Sequence, residues 1–161
     1  MGRDADNAGV IALPPVLLLV SLLTGFLLDW LAPPGWLEQL PSGLRYGLGG
    51  FVSGAGLTIS GLGAGMFALE RTPVDPREPP THMVTGGMFD YTRNPMYLAF
   101  YVVSLGIAIL FAAEWIILTT IILALVIHYG VVLREERYLE RRFGEEYLRY
   151  KERVPRYVGW F

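Results

Sequence analysis

Long apolar stretches alternate with short polar ones along this chain, and the pattern predicts a bundle of membrane-spanning helices. Four segments are almost free of charge, at residues 10–31, 44–69, 97–113 and 115–133. A helix needs about 20 apolar residues to cross a bilayer, and all four segments are near that length. We therefore predict an all-α fold, an integral membrane bundle of four transmembrane helices in a single domain.

The polar stretches between these spans predict how the helices are connected. Residues 112–114, Ala-Ala-Glu, leave almost no connection between the third and fourth spans, so the two helices must form a tight antiparallel hairpin. The hairpin returns the start of the third span and the end of the fourth to the same membrane face. The 70–96 loop is long and rich in proline but contains apolar anchors, which is typical of a functional loop.

The residues after the fourth span, 134–154, have the pattern of an amphipathic helix. Apolar side chains recur at helical spacing among arginines and glutamates, at Leu139, Phe143, Tyr147, Tyr150 and Val154. Such a helix lies against the membrane surface or caps the bundle. Because Gly144 interrupts the pattern, we expect a kink there or a division into two helices.

The second span carries two adjacent stripes of small residues. One stripe consists of Gly47, Gly50, Gly54, Gly61 and Gly65, and the other of Gly49, Ser53, Gly56, Ser60 and Gly63. Small residues let helix backbones approach closely, so we expect this helix to pack tightly against a neighbour. A ligand that approaches the bare backbone around residues 61–65 is a second, compatible interpretation.

The composition agrees with a membrane protein and excludes several kinds of functional site. Of the 161 residues, 53% are hydrophobic and only 17% are charged, which is too apolar for an ordinary soluble domain. The absence of cysteine excludes disulfides, a thiolate zinc site and a cysteine nucleophile, and two histidines make no metal site. The net charge of −2 gives no signal for a nucleic-acid partner, so we expect none.

The basic residues predict the orientation of the chain in the membrane. With four spans, the N-terminus, the 70–96 loop and the C-terminal tail share one side, and every basic residue except Arg45 lies there. The positive-inside rule places that side in the cytoplasm. We therefore expect both termini in the cytoplasm and the inner membrane of the cell as the location.

Arg93-Asn94-Pro95, directly before the third span, is the first candidate for chemistry. Pro95 suits the first helical turn, where its missing N–H costs nothing, and Asn94 is a natural N-cap. The motif is thus explained as a helix start with Arg93 as an interfacial anchor. The same helix N-terminus also offers N–H groups to a carboxylate or another anion.

His128 and Glu135 are the candidates at the end of the fourth span. They are separated by about two turns and therefore share one face of a regular helix. Polar groups inside a span are costly and tend to be functional. In the alternative interpretation, His128 reaches interfacial water and Glu135-Glu136 belongs to a solvated helix face that pairs with surface arginines.

Several short motifs lie around the predicted hairpin in a specific order: Thr72-Pro73-Val74-Asp75-Pro76, Arg93-Asn94-Pro95-Met96-Tyr97, Glu135-Glu136-Arg137-Tyr138-Leu139, Phe143-Gly144-Glu145-Glu146-Tyr147 and Arg153-Val154-Pro155. With them, residues 72–156 resemble the isoprenylcysteine carboxyl methyltransferase family and, more distantly, the phosphatidylethanolamine N-methyltransferases. Relatives commonly have proline where this chain has Met88, and a basic residue where it has Asp90.

The resemblance implies an integral membrane methyltransferase that uses S-adenosylmethionine and releases S-adenosylhomocysteine. The cofactor would enter from the cytoplasm and a lipophilic substrate from the bilayer. Carried over by position, the cofactor-binding residues are Met88, Arg93, Asn94, Pro95, Tyr97, His128, Glu135 and Glu136. Among these, Arg93 and Glu135 are the expected catalytic residues.

The charges of the cofactor suit these residues. A carboxylate such as Glu135 can bind its ammonium group or its ribose hydroxyls, and Arg93 can bind its carboxylate or that of the acceptor. The acceptor stays open between a prenylcysteine carboxylate, a phospholipid amine and another lipid. An NADPH-dependent membrane reductase of the sterol-reductase type and a non-enzymatic membrane subunit are the alternative functions, and the oligomeric state stays open as well.

Overall fold

The computed structural model describes residues 7–159, which form helices joined by loops and short turns. The all-α prediction is confirmed for these residues. The α-helices are α1 (Pro14–Leu31), α2 (Ser42–Leu69), α3 (Pro95–Phe111), α4 (Trp115–Ile127), α5 (Leu133–Phe143) and α6 (Glu145–Arg153). A π-helical turn, His128–Val132, joins α4 to α5, and two 3₁₀ turns lie at Leu37–Gln39 and Gly87–Asp90.

Three helical segments are long and apolar enough to cross a membrane. They are α1, α2 and the continuous helix Trp115–Phe143, which comprises α4, the π-helical turn and α5. The remaining apolar helix, α3, has 17 residues and is shorter than these. The structure thus supports a membrane protein with three long candidate spans, and α3 as a fourth span stays a prediction.

Prolines decide where two of the helices begin. α1 starts at Pro14 rather than near residue 10, because a residue before proline avoids the helical region, and Leu13 is extended with φ −63° and ψ 128°. α3 starts at Pro95 rather than at residue 97, with proline in the first turn. Pro95, a predicted site residue, is therefore part of the helix itself.

The α3–α4 hairpin closes at Ala112, which has a left-handed conformation with φ 52°. The N–H of Ala113 donates to the carbonyl of Ala108 over 2.9 Å, so the end of α3 is satisfied by the next residues of the chain. This tight turn forms the antiparallel hairpin that the short connection predicts.

At the same end of the bundle, α1 holds the start of α4. The two carboxylate oxygens of Asp29 accept the backbone N–H groups of Glu114 and Trp115, each over 3.0 Å. A carboxylate at a helix N-terminus satisfies unpaired N–H groups and interacts well with the helix dipole. Asp29 of α1 therefore caps the N-terminus of α4.

α2 packs along α3 so closely that only glycine fits at several positions. A Cβ atom at Gly49 would lie 2.5 Å from the backbone nitrogen of Leu110, and one at Gly56 would lie 2.7 Å from Cγ2 of Val103. The packing interpretation is thus confirmed for the stripe that contains Gly49 and Gly56. The other stripe faces away from the bundle, with no atom within 4 Å of a Cβ at Gly50 or Gly54.

The tail forms two helices rather than one. Gly144, with φ 53°, ends α5 and allows α6 to fold back, as the glycine in the amphipathic pattern indicates. Tyr147, Tyr150 and Val154 are buried together and pack against Met83 of the long loop. The chain that follows α6 is thereby brought back to the start of α3.

The N-terminal stretch before α1 lies along the π-helical turn and α5. The N–H of Ile11 donates to the carbonyl of Gly130 over 3.2 Å, and the Arg134 guanidinium donates to the carbonyl of Gly9 over 2.7 Å. A Cβ at Gly130 would collide with the Ile11 side chain. These contacts make residues 8–15 a wall beside the start of α3.

Candidate functional site

A cavity of about 350 Å³ opens at the end of the bundle where α3 begins and α5 leaves the apolar part of the fourth helix. Its walls come from the N-terminal stretch and the start of α1, from the long loop, and from α3, the π-helical turn, α5 and α6, with Phe67 of α2. Most of the lining is apolar, including Leu13, Phe100 and Val132. The polar side chains come partly from the long loop, at Asp75, Glu78 and His82, and partly from the residues around the first turn of α3. An apolar pocket with a few convergent polar groups is the usual form of a small-molecule site.

Six of the residues predicted from the sequence line this cavity: Arg93, Asn94, Pro95, Tyr97, Glu135 and Glu136. They come from the two ends of the α3–α4–α5 hairpin, which the short 112–114 turn brings together. Met88 and His128 do not line it.

A hydrogen bond in the wall of the cavity joins the first turns of α3 and α5. The Tyr97 hydroxyl donates to Oε1 of Glu135 over 2.8 Å. No basic side chain of the described residues forms an ion pair with Glu135. The carboxyl group of Glu135 therefore has a neutral hydrogen-bond partner and lines the cavity.

Glu136, the next residue, lies between two arginines. Arg156 binds it with two parallel hydrogen bonds, from Nε to Oε1 and from Nη2 to Oε2, each 2.8 Å long. This contact raises the pKa of Arg156. Arg93 approaches from the other side, with Nη1 3.3 Å from Oε1 of Glu136.

Arg93 is buried but incompletely paired. Its side chain is only 4% exposed, and its Nε and Nη1 atoms have no hydrogen-bond partner among residues 7–159. The contact with Glu136 has the distance of an ion pair but not the geometry of a hydrogen bond. Burial raises the pKa of Tyr147, Glu136 adds to the rise, and the neighbouring Arg93 opposes it. Arg93 thus retains unused donors beside the cavity, which suits an anionic ligand.

Asn94 lies at the N-cap position of α3, as predicted, but its side chain does not cap the helix. Instead, its amide donates to the carbonyl of Arg156 over 3.1 Å. Thr92 donates to the same carbonyl over 3.0 Å, and the Arg93 N–H donates to the carbonyl of Pro155 over 2.9 Å. The chain after α6 is thus tied to the start of α3 by three hydrogen bonds.

His128 pairs with this same C-terminal stretch rather than with the cavity. Its Nδ1 atom lies 3.0 Å from the Tyr157 hydroxyl, and burial raises the pKa of Tyr157 to about 12. The shared face expected for His128 and Glu135 assumes a regular helix, whereas a π-helical turn begins at His128. A wider turn changes the register of the residues that follow, so only Glu135 reaches the cavity.

Met88 lies in the 3₁₀ turn Gly87–Asp90 and faces α2. A Cβ at Gly63 would contact its sulfur at 3.4 Å, so Met88 fills space between the loop and α2. Asp90 is exposed and also lies outside the cavity lining. Gly61 and Gly65 are open and do not line the cavity either, so no ligand contact is indicated at residues 61–65.

Sequence reasoning missed the N-terminal wall of the cavity and Arg156, which contacts the lining residue Glu136. Arg156 follows the last helix and looks like one more basic residue of the tail, and Leu13 and Pro14 look like the start of a span. No local pattern identifies them, because they reach the site only through the fold.

The comparisons with known proteins agree with a methyltransferase. The family model described as phospholipid methyltransferase matches residues 48–146, a range that contains every site residue predicted from the sequence. An uncharacterized protein of Haemophilus influenzae is 40% identical over 63 residues, which are 39% of this chain and the whole of that protein. No solved structure matches the chain.

Proposed function

The chain belongs to the phospholipid methyltransferase family, and on this premise we propose that it transfers a methyl group from S-adenosylmethionine to a lipophilic acceptor. Family membership and the long apolar helices together indicate an integral membrane methyltransferase. The identity of the methyl donor and the class of acceptor are the further steps that we propose from the cavity.

The observation that carries this proposal is a buried arginine with unpaired donors and a carboxyl group without a basic partner, both in the wall of one mostly apolar cavity. Arg93 has unpaired, buried donors, and Glu135 has no basic partner within residues 7–159. The amino acid end of S-adenosylmethionine carries one carboxylate and one ammonium group, so its charges complement these two side chains. The side chains of Arg93 and Glu135 therefore suit the two charged groups of this cofactor.

In the proposed complex, Arg93 binds the carboxylate of S-adenosylmethionine, and Glu135 binds its ammonium group or its ribose hydroxyls. Asn94, Pro95 and Tyr97 complete the wall at the start of α3. When bound, S-adenosylmethionine supplies a methyl group activated by its sulfonium. Such a displacement needs alignment and the exclusion of water more than acid–base groups, and a mostly apolar lining suits that requirement.

The acceptor that we propose is an isoprenylcysteine carboxylate or another lipid with a nucleophilic group. The lining also contains the apolar residues Leu13, Phe100 and Val132, which suit a hydrocarbon chain. In the case of a carboxylate acceptor, Arg93 is also suited to neutralise the attacking group.

We propose that α3 is the fourth membrane span and that both termini lie in the cytoplasm, in the inner membrane of the cell. Large apolar side chains on α1 and α2 point away from the bundle, for example Leu23 at 59% exposed and Phe51 at 75% exposed. Exposed apolar surface of this extent indicates contact with lipid. The basic residues around the cavity support its placement at the cytoplasmic side.

Calorimetric titration of the detergent-purified protein with S-adenosylhomocysteine and, separately, with NADPH tests the proposal. Saturable heat with S-adenosylhomocysteine and none with NADPH is the expected result. The reverse outcome would support a reductase and overturn the methyltransferase. No heat of binding with either ligand would support a non-enzymatic subunit.

A further inference from the structure

We propose that Arg156, which lies outside the cavity lining, is a positioning residue for the binding site. By holding both carboxylate oxygens of Glu136, it keeps the Arg93 guanidinium available to an anionic group in the cavity. The inference deepens the proposed function, since the anion would be the carboxylate of S-adenosylmethionine or of S-adenosylhomocysteine.

Glu136 is buried, with 6% of its surface exposed, and both arginines compete for it. Arg156 takes part in two hydrogen bonds of 2.8 Å, whereas Arg93 approaches one oxygen at 3.3 Å without hydrogen-bond geometry. A two-pronged contact of a guanidinium with a carboxylate is among the strongest charge-assisted pairs. Glu136 therefore pairs with Arg156, and the Nε and Nη1 donors of Arg93 stay unpaired.

The three side chains together favour an anion next to Arg93, while Glu135 in the same cavity is left for the ammonium group. Glu136 contributes one negative charge and Arg93 and Arg156 one positive charge each, so the cluster has an excess of one positive charge. A buried charge without a counter-ion is costly, and Arg93 is the more buried arginine, with its side chain 4% exposed against 27% for Arg156. An anion in the cavity would neutralise that excess at Arg93.

Loss of the Arg156 guanidinium would change the partner of Arg93. Glu136 would then move onto Arg93 and pair with it through both oxygens, because a buried carboxylate is strongly driven to find donors. The closed Arg93–Glu136 pair would be neutral and would no longer attract an anion. Glu136 would thus act on the cofactor only through Arg93.

The backbone of Arg156 has a separate structural task, which the side-chain variants spare. Its carbonyl accepts hydrogen bonds from Thr92 and Asn94, and the carbonyl of Pro155 accepts one from the Arg93 N–H. A substitution at Arg156 leaves these backbone acceptors in place. The contribution of the guanidinium can therefore be measured with the C-terminal stretch still attached to α3.

Calorimetric titration with S-adenosylhomocysteine compares the wild type, R156Q, the double variant R156Q/E136Q and the control R153Q, which removes an exposed arginine of α6. We expect R156Q to bind on the order of tenfold more weakly or worse, as for directly coupled residues. The double variant should recover most of the wild-type affinity, since no carboxylate then competes for Arg93. Normal binding by R156Q, binding by R153Q as weak as by R156Q, or failure of E136Q to rescue R156Q would each overturn the proposal.

A second measurement on the protein without ligand separates this proposal from the proposed function. In protein labelled with ¹⁵N-arginine, the Nε–H signal of Arg93, assigned with R93K, should shift in R156Q and return in R156Q/E136Q. An unchanged signal in R156Q would contradict the competition for Glu136. Wild-type protein that does not bind S-adenosylhomocysteine would overturn the proposed function, while the Arg93 signal would still decide the role of Arg156.

R156K replaces R156Q in both measurements if R156Q is not recovered folded. A lysine keeps the positive charge but cannot hold both oxygens in the same fork. We expect weaker binding and the same rescue by E136Q. Wild-type affinity in R156K, together with an unshifted Arg93 signal, would contradict the two-pronged mechanism.

Discussion

The Tyr97 hydroxyl donates a hydrogen bond to Oε1 of Glu135 over 2.8 Å and so connects the first turn of α3 with the first turn of α5. The two residues are far apart in sequence, and the hairpin brings them together. The bond fixes the orientation of the carboxylate that we assign to the amino acid or ribose part of the cofactor.

Substitution of Tyr97 by phenylalanine should therefore weaken the site. Loss of a hydrogen bond to a partly buried carboxyl group costs roughly 1–3 kcal/mol, which corresponds to about 5- to 150-fold in affinity. We expect a loss within this range in the dissociation constant of S-adenosylhomocysteine, measured by calorimetry. Tyr101→Phe is the matched control, because the buried Tyr101 hydroxyl has no partner among the described residues. Equal losses in the two variants would contradict a specific role for Tyr97.

Removal of either charge at the cavity should impair the enzyme more severely. We expect Arg93→Ala and Glu135→Ala each to reduce cofactor binding or turnover by about tenfold or more, since each leaves a charge of the ligand unpaired. Binding is measured by calorimetry and turnover by methyl transfer from labelled S-adenosylmethionine to extracted lipids. The exposed Glu152→Ala serves as the control. Near-normal binding and activity in both variants would show that these residues only anchor the helices.

The close contact of α2 with α3 predicts opposite effects for two neighbouring glycines. Gly49→Ala would place a Cβ 2.5 Å from the backbone nitrogen of Leu110, and backbone cannot move aside as a flexible side chain can. We expect a loss of about 1–3 kcal/mol in the free energy of unfolding in detergent. Gly50→Ala meets nothing within 4 Å and should be neutral or slightly stabilising, because alanine favours a helix. Similar stabilities of the two variants would refute this packing.

The Asp29 carboxylate predicts a change of stability that leaves the binding site intact. Asp29→Ala leaves the N–H groups of Glu114 and Trp115 without their acceptors. We expect unfolding to become easier by about 0.5–2 kcal/mol, the usual effect of a lost cap. Because this contact lies at the opposite end of the hairpin from the cavity, the dissociation constant of S-adenosylhomocysteine should stay unchanged in the folded variant. A large change in that constant would show that the two ends of the bundle are coupled.

The helices could be predicted from the sequence, and so could a site made of residues from both ends of the hairpin. The apolar segments at 44–69 and 115–133 lie close to the observed helices, and the short connection at 112–114 requires the hairpin. Once the hairpin is accepted, the Arg93 and Glu135 ends must meet. These inferences hold because helix length and tight turns depend on residues that are near each other in the chain.

Two site residues, His128 and Asn94, depart from the sequence-based expectation, and both have partners in the C-terminal stretch. The π-helical turn from His128 to Val132 changes the register before Glu135, and so His128 pairs with Tyr157 instead of lining the cavity. The Asn94 amide bonds to the carbonyl of Arg156, because the chain returns after Gly144. Neither partner is recognisable from the neighbouring residues.

By itself, the sequence determined that this protein is a helical membrane protein with charged groups at the ends of a hairpin. Hydropathy, proline and glycine act through local conformation and through the length of an apolar segment. Only the tertiary structure decided which charge each charged group meets: Glu136 belongs to Arg156, and Arg93 is left with free donors. Pairing in a buried site depends on distances of a few ångströms between remote parts of the chain, and those distances arise only when the helices pack.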